Sequence, residues 1–164
     1  MLKAKVTEKM INYYNGSVND ISHFLKVHNY ARTIAVLENV DSKTLLTIEL
    51  AAIVHDIACS LCRKKYGSVA GNLQELESPA LLAPFFDEFD IDEDMKSRIV
   101  WLVSHHHTVT DVNSIDHQIL LEADFLVNAE RLADNRQAIL DFCDKVFKTE
   151  SGKRLLESIH LNGK

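Results

Sequence analysis

The chain has 164 residues, a formal net charge of −6, 46% hydrophobic residues and 26% charged residues. These values are typical of one soluble globular domain and argue against an intrinsically disordered chain. The chain contains only 5 Gly and 2 Pro. Because the tight turns of β-sandwiches and barrels use both residues, their scarcity predicts an all-α fold with long helices.

The acidic charge balance restricts the partners that the chain can have. It argues against a nucleic acid polymer, since phosphate backbones are bound by many Lys and Arg side chains. A small phosphorylated ligand needs only a local positive site and stays compatible with the sequence, as does an oligomer. No apolar run approaches the roughly 20 residues of a membrane span, and no apolar segment follows the first lysines. Neither a membrane partner nor a signal peptide is therefore expected.

The three cysteines are Cys59, Cys62 and Cys143. An odd number of cysteines without an export signal predicts a reducing, cytoplasmic environment. Cys59 and Cys62 form a C-x-x-C pair, but a single such pair favours two ordinary thiols at a helix end over zinc or redox chemistry. The sequence leaves their role open.

The N-terminal part of the chain predicts two helices. The first covers roughly residues 7–14 and ends near Gly16. The second is capped by Asp20 or Ser22 and runs to about residue 39. Apolar residues recur along the second helix at spacings of three and four, which is the helical period. These residues are Phe24, Val27, Ala31 and Ile34.

The most apolar segment, residues 45–54, is predicted to be the central helix of the protein. Asp41 or Ser42 caps its start, and it ends at His55 and Asp56. Because its side chains are apolar nearly all round, we expect it to be buried on every side.

The segment that follows the central helix is predicted to be less regular. It extends from Cys59 to about Ser78 and contains three consecutive basic residues, 63–65, and two glycines. Pro79 then starts a short helix, since the N–H group that proline lacks has no partner in the first turn of a helix.

Apolar helices return in the second half of the chain. One begins at the acidic residues 90–94 and is closed by a histidine triplet, residues 105–107. Another spans about residues 115–132, and one or two packing helices follow in residues 133–160. No linker or repeat interrupts them, which predicts a single domain.

Four of these helices each place a His or an Asp on the face that their apolar residues mark as inward. A buried charged or hydrogen-bonding group is costly unless a partner satisfies it. A single such residue usually finds its partner in the protein, but four helices with the same feature favour a shared divalent metal ion. Its charge would offset the carboxylates, and neutral imidazoles would complete its shell. The residues are His23, His55, Asp56, His106 and Asp124.

The order and surroundings of these residues resemble those of the HD-domain metal-dependent phosphohydrolases. Their signature is a His, then a His-Asp pair, then a distant Asp, each on its own helix. Residues 51–57 (AAIVHDI) and 120–126 (LLEADFL) are similar to the segments around the pair and the final Asp. The first His of the family is followed by a basic residue, Val and Ala at plus three, four and eight, and His23 fits all three. His28 fits less well, and the resemblance covers residues 20–130.

His23 and His28 lie five residues apart on one predicted helix. At about 3.6 residues per turn, this spacing separates them by about 140° around the helix axis, so both cannot face one site. His23 shares the face of the inward apolar residues. We therefore expect metal binding to need His23 and to tolerate the loss of His28.

The resemblance implies a single-domain helical bundle of the HD-domain type over residues 1–164. It also implies a metal site with four protein ligands: His23, His55, Asp56 and Asp124. This ligand set suits Mn, Fe, Co, Ni, Zn or Mg. One ion is expected, because no histidine lies between Asp56 and His105.

The activity that the resemblance implies is hydrolysis of a small phosphate ester, such as a nucleotide, by a metal-activated water. Asp56 would orient or deprotonate that water. His105 or His106 would stabilise the developing negative charge or protonate the leaving oxygen.

Two other functions stay open on the same scaffold. One is a module that binds a nucleotide or phosphate ligand without hydrolysing it, since Cys59 stands where some nucleotide-cleaving members of the family have an acidic Glu. The other is an iron oxygenase, which needs more histidine ligands than this chain clearly offers.

Basic and polar residues near the expected metal are predicted to bind the substrate. Lys26 and Arg63 are expected to contact the phosphate, with Gln74 and Glu75 as further polar contacts. This prediction depends on their positions next to the ligand residues and not on a motif.

Overall fold

The computed structural model describes residues 1–132 and 134–162, and within them the secondary structure is helical. The elements in chain order are α1 (Leu2–Tyr14), α2 (Val18–Leu37), α3 (Ser42–Val54), α4 (Cys59–Tyr66), α5 (Gly71–Phe86), α6 (Glu93–Val103), α7 (Ile115–Asn128), a 3₁₀ turn (Ala129–Leu132), α8 (Arg136–Val146), α9 (Glu150–Leu156) and a π-helical turn (Glu157–Leu161). The all-α prediction is confirmed. Position 133, where the predicted packing helices begin, and positions 163–164 lie outside the described residues.

The centre of the bundle is α3, which packs against α1, α2, α6 and α7. All of its residues from Thr47 to Val54 are buried. Asp41 caps its start by accepting hydrogen bonds from the backbone N–H groups of Lys43 and Thr44, so Asp41 is the cap and not Ser42. The prediction of a central buried helix is confirmed.

The helix starts near the N-terminus differ from the prediction. α1 begins at Leu2 rather than near residue 7, and α2 begins at Val18 with Ser17 at the N-cap position. Asp20 therefore lies in the first turn of α2, where its carboxylate is favourably placed at the positive end of the helix dipole.

The predicted irregular stretch from Cys59 to Ser78 is wrong, because the structure has α4 and the first half of α5 there. The two helices are separated at Gly67, whose φ of 66° is the left-handed conformation that commonly ends a helix. Pro79 and Pro84 both lie inside α5, so Pro79 does not start a helix. Each proline leaves one carbonyl of the preceding turn without its intrahelical donor, which α5 tolerates.

The second half of the chain follows the prediction more closely. Asp92 caps α6 by accepting from the N–H of Met95, and the histidine triplet follows the end of this helix at Val103. α7 and the 3₁₀ turn together cover the predicted helix to Leu132, and α8 and α9 are the packing helices.

Within the described residues, one stretch is long and apolar enough to cross a membrane by length and composition alone, Ser42–Tyr66. Most of it is buried inside the bundle, as a central core helix must be.

Candidate metal centre

Three helices bring His23, His55, Asp56 and Asp124 together at one place. The His23 Nε2 atom lies 3.1 Å from Asp124 Oδ1, 3.2 Å from His55 Nε2 and 3.3 Å from Asp56 Oδ2. The His55 Nε2 atom lies 3.5 Å from a carboxylate oxygen of Asp56 and of Asp124. We call these four residues and His106 the His/Asp cluster, since His106 Nε2 lies 3.7 Å from Asp56 Oδ1.

Backbone carbonyl groups fix the orientation of two imidazoles in the cluster. The Nδ1 atom of His55 lies 2.8 Å from the Ala52 carbonyl, and that of His106 lies 2.6 Å from the Val103 carbonyl. A carbonyl can only accept, so each Nδ1 carries the proton and donates. When such a ring is neutral, the lone pair of its Nε2 is directed at the cluster, as in metal-binding histidines.

The electrostatic field inside the cluster favours positive charge. Burial lowers the pKa of His55, but the carboxylates of Asp56 and Asp124 outweigh it and raise the pKa to about 9. Burial raises the pKa of both carboxyl groups, yet the neighbouring imidazoles hold the two pKa values below the ordinary range. Two ionised carboxylates in a buried place attract a cation for the same reason that they stabilise a protonated imidazole.

The residues of the cluster fit a divalent metal ion. Nitrogen lone pairs and carboxylate oxygens face one another, and among the described residues His106 Nε2 has no hydrogen-bond partner although it is buried. One ligand atom from each of His23, His55 and Asp56 lies within 4.8 Å of the others. Imidazole with carboxylate is a donor set that Mn, Fe, Co, Ni and Zn accept. A second group of this kind, Asp56, His106 and His107, shares Asp56 with the first.

The structure shows which of the candidate histidines lie at the His/Asp cluster. His28 points away from the cluster, and its Nε2 lies 3.3 Å from Glu49 Oε1. His105 also points away: its ring stacks on Trp101 and its Nδ1 lies 2.7 Å from the Trp101 carbonyl. Of the two predicted catalytic histidines, the structure therefore brings His106 to the cluster and leaves His105 outside it.

A polar pocket of about 320 Å³ opens above the cluster. Two of the four residues predicted to bind substrate line it, Arg63 and Gln74. Arg63 forms a two-pronged ion pair with Asp20, at distances of 2.5 and 2.8 Å. Gln74 donates to the Val69 carbonyl and accepts a hydrogen bond from the Cys59 thiol. We call this cavity the main pocket.

The other two predicted substrate contacts do not line the main pocket. Lys26 lies in a neighbouring cavity, where it forms an ion pair with Glu130. Glu75 accepts hydrogen bonds from the backbone N–H of His107 and the hydroxyl of Thr108. Its carboxylate therefore fixes the turn after α6.

Several residues of the site were not predicted from the sequence. Arg131 lines the main pocket, and its guanidinium group makes no ion pair or hydrogen bond with another described residue. Asn128 donates to Asp124 Oδ2 at 2.9 Å, and Tyr14 donates to the backbone carbonyl of Asp56 at 2.6 Å. The sequence did offer a signal for Asn128 and Arg131: they follow Asp124 by four and seven residues, and such positions share one face of a helix.

His107 also lines the main pocket, and Gly71 makes its position possible. A Cβ atom at position 71 would lie 2.6 Å from His107 Cγ, so the first turn of α5 can approach this ring only with glycine there. Burial and the nearby His106 lower the pKa of His107 to about 4, so its ring is neutral at physiological pH.

No protein-family model matches the chain, and no curated protein matches it. Two solved structures are similar over nearly all of it. One is a protein described as a predicted HD superfamily hydrolase from an uncultured Thermotogales bacterium, with a TM-score of 0.60 and 22% identity over 95% of this chain and 83% of that one. The chain has the HD-domain fold.

The second similar structure is the Lin1889 protein of Listeria innocua, with a TM-score of 0.63 and 20% identity over 98% of this chain and 90% of that one. At these identities the likeness establishes the fold. The helical bundle of the HD-domain type predicted from the motifs is thus confirmed.

Proposed function

We propose that the protein is a cytoplasmic, metal-dependent hydrolase of the HD-domain superfamily that acts on a small phosphate ester, such as a nucleotide. The observation that carries this proposal is the His/Asp cluster at the floor of the main pocket, with two arginine side chains in the pocket wall. The cluster supplies ligands for a cation, and the arginines supply positive charge for a phosphate.

His23, His55, Asp56 and Asp124 would hold the metal ion. When bound, a divalent ion lowers the pKa of a coordinated water and polarises phosphoryl oxygens. One ion is proposed, at the point where the side chains of these four residues converge on His23 Nε2 at 3.1 to 3.3 Å. Asp56 has an exposed edge toward the pocket, with 17% of its side chain accessible, so its carboxylate can orient a water against the substrate.

The geometry changes the role proposed for His106. Its Nδ1–H faces the Val103 carbonyl, so the neutral ring offers only a lone pair at Nε2. Such a ring can accept a proton from water or bind a cation, and it can donate at Nε2 only after a proton has been bound there. We therefore assign His106 to holding the attacking water or a cation beside Asp56.

The two arginines differ in the charge that they offer to a phosphate. Asp20 neutralises Arg63 through two hydrogen bonds, whereas Arg131 has no carboxylate partner among the described residues. Arg131 is therefore proposed as the main phosphate-binding side chain, and Arg63 as a weaker one. Both residues line the main pocket and are exposed to solvent.

A second candidate function is binding without hydrolysis. It is favoured by Cys59, which lines the main pocket next to Asp56 and whose pKa is raised by burial. A thiol of this kind is a poor proton donor for a leaving group. Turnover of substrates separates the two functions.

The test loads the metal-free protein with Mn²⁺ and measures phosphate release from p-nitrophenyl phosphate and from a panel of nucleotides. We expect release from at least one substrate, loss of that activity in Asp124→Asn and retention in His28→Ala, the matched control on the edge of the same bundle. Tight nucleotide binding without release in any assay would favour the binding module instead.

The arginine assignment has its own test. Arg131→Ala is expected to raise KM about tenfold or more, the effect of losing one charge-assisted hydrogen bond. Arg63→Ala also exposes Asp20 as a new negative charge, so the matched comparison is the double variant Arg63→Ala/Asp20→Asn. An unchanged KM in Arg131→Ala would contradict the assignment.

A further inference from the structure

A second cavity of about 170 Å³ adjoins the main pocket. His107, Asp124 and Asn128 line both cavities and form the wall between them. The far wall of the second cavity is apolar and is formed by Val109, Leu121, Phe125 and Phe142. We call this cavity the apolar lobe.

The apolar lobe is assembled from three parts of the fold. Leu121 and Phe125 lie one turn apart on α7, Phe142 comes from α8, and Val109 comes from the loop after α6. The rings of Phe125 and Phe142 stack with their centroids 3.6 Å apart. Phe125 and Leu121 are buried, whereas Phe142 and Val109 are partly exposed, so the lobe has a solid base and an open rim.

The contrast with the main pocket indicates what the lobe can bind. Charged and polar side chains dominate the main pocket, and Val69 is its aliphatic exception. The lobe is smaller than the roughly 300–1,000 Å³ of a complete small-molecule site. It therefore has room for part of a ligand, and its apolar wall favours a part without charge.

We propose that the apolar lobe binds an aromatic ring that the substrate carries next to its phosphate, while the phosphate lies in the main pocket. This inference rests on the proposed function and narrows it to ring-bearing phosphate esters. The wall that the two cavities share supports this proposal. When the phosphate of a ligand lies in the main pocket near Arg131 and Asp124, the apolar lobe is the neighbouring space for the rest of the ligand. Phe125 and Phe142 cover each other's facing surfaces, so a ligand ring meets their edges, and edge-to-face contacts favour an aromatic ring over an aliphatic chain of equal size.

Two phosphonates test the inference without any turnover. Phenylphosphonate carries the ring and methylphosphonate lacks it, and neither is hydrolysed. We expect isothermal titration of the Mn²⁺-loaded protein to show phenylphosphonate binding at least about tenfold more tightly. Equal affinities, or no binding of either compound, would overturn the inference.

Variants of the lobe give the second arm of the test. Phe142→Ala opens the lobe, and Val109→Asp places a charge at its rim. Both are expected to reduce the ratio of the two affinities to less than about threefold, and in Phe142→Ala methylphosphonate binding should change little. Leu76→Ala is the matched control, since Leu76 is 67% exposed on α5 and lines neither cavity. Persistence of the full preference in Val109→Asp, or in Phe142→Ala with an unchanged melting temperature, would also overturn the inference.

The outcomes separate this inference from the proposed function. A ring preference that depends on the lobe, together with no phosphate release from any ester, supports the lobe and contradicts the hydrolase. Phosphate release without a ring preference supports the hydrolase and contradicts the lobe.

Discussion

Glu122 and Asp124 are two buried carboxylates on α7, separated by one residue. Two steps along a helix turn it by about 200°, so the two side chains face opposite sides of α7. Glu122 faces the C-terminal helices, and Asp124 faces α2 and α3. Their surroundings differ in which groups satisfy each carboxylate: hydrogen-bond donors of the chain, or a cation from outside it.

The chain itself satisfies Glu122. Its carboxylate accepts hydrogen bonds from the Gln118 side chain, from the backbone N–H groups of Lys148 and Thr149, and from the Thr149 hydroxyl. Gly152 lies close against it, and a Cβ atom there would collide with the Thr149 hydroxyl at 2.6 Å. These contacts fix the start of α9 on α7, so Glu122 holds the fold together.

Asp124 is satisfied only in part. Asn128 donates to one of its oxygens, and the other faces the imidazoles of His23 and His55. The Nδ1–H of His55 faces the Ala52 carbonyl, so His55 can donate to Asp124 only when a further proton is bound at Nε2. Burial alone therefore does not mark a functional carboxylate. A shortage of donors from the chain does, and an external cation removes that shortage.

Removal of a ligand from the His/Asp cluster is expected to change metal binding most. His23→Ala removes a ligand, and we expect Mn²⁺ affinity to fall by more than about 100-fold, since outer partners of a metal site alone are worth 10–100-fold. His28→Ala should keep its metal, because His28 faces Glu49. Metal content measured after desalting decides between them, and an emptied site in His28→Ala with a filled one in His23→Ala would contradict our assignment of the first ligand.

The next effect tests the structural carboxylate. Glu122→Ala leaves several buried donors unpaired and is expected to lower the free energy of unfolding by about 3 kcal/mol, with Mn²⁺ binding retained. Glu130→Ala is the control, because its ion pair with Lys26 is half exposed and worth less than about 1 kcal/mol. Chemical denaturation measures both, and a loss of metal affinity in folded Glu122→Ala would remove the distinction between the two carboxylates.

Asn128 is the hydrogen-bond partner that orients Asp124. It supplies the hydrogen bond that Asp124 does receive from the chain, at 2.9 Å. Asn128→Ala should weaken Mn²⁺ binding about tenfold, as loss of an outer partner does. Asn19→Ala is the matched control, since Asn19 lines the same pocket without contacting Asp124 through a hydrogen bond. Equal affinities in the two variants would show that Asn128 does not orient the ligand.

The smallest effect concerns a third buried carboxylate, Glu49, whose partners are cations of the chain. Burial raises its pKa, but Lys3 and Arg32 outweigh burial and hold the pKa below the ordinary value. A carboxyl group with a lowered pKa stabilises the fold above its unfolded-state pKa and loses this contribution as pH falls through its folded-state pKa.

Glu49→Gln is therefore expected to cost on the order of 1 kcal/mol near neutral pH, since both cations are partly exposed. The cost should shrink in acid, where Glu49 is protonated in either state. Denaturation curves at neutral pH and at about pH 3 check this, and a pH-independent difference would contradict the linkage.

The part of the site that lies inside regular helices was predictable from the sequence. His23 and Asp124 each sit on a helix whose apolar residues define an inward face, so the helical period gave their direction. His106 lies beyond the end of α6 at Val103, yet the helical period continued past that end still predicted its inward direction, whereas the catalytic role was left open between His105 and His106.

The errors around the pocket have a similar physical origin. Because the stretch after Cys59 was predicted as irregular, no helix phase was available to show that Gln74 faces inward while Glu75, one residue later, faces Thr108. The position of Lys26 outside the main pocket could not be predicted for another reason: its partner Glu130 is 104 residues away, and a contact of that range is set by packing and not by local pattern.

The most direct test of the metal centre is Mn²⁺ titration of three folded proteins: the unaltered chain, Asp124→Asn and Glu122→Gln. Each variant removes one negative charge from the same helix with almost no change in shape. Our account predicts about one Mn²⁺ per chain in the unaltered protein and in Glu122→Gln, and none at the same concentrations in Asp124→Asn. An unaltered chain that binds no Mn²⁺, or an Asp124→Asn variant that binds it equally well, would contradict the account.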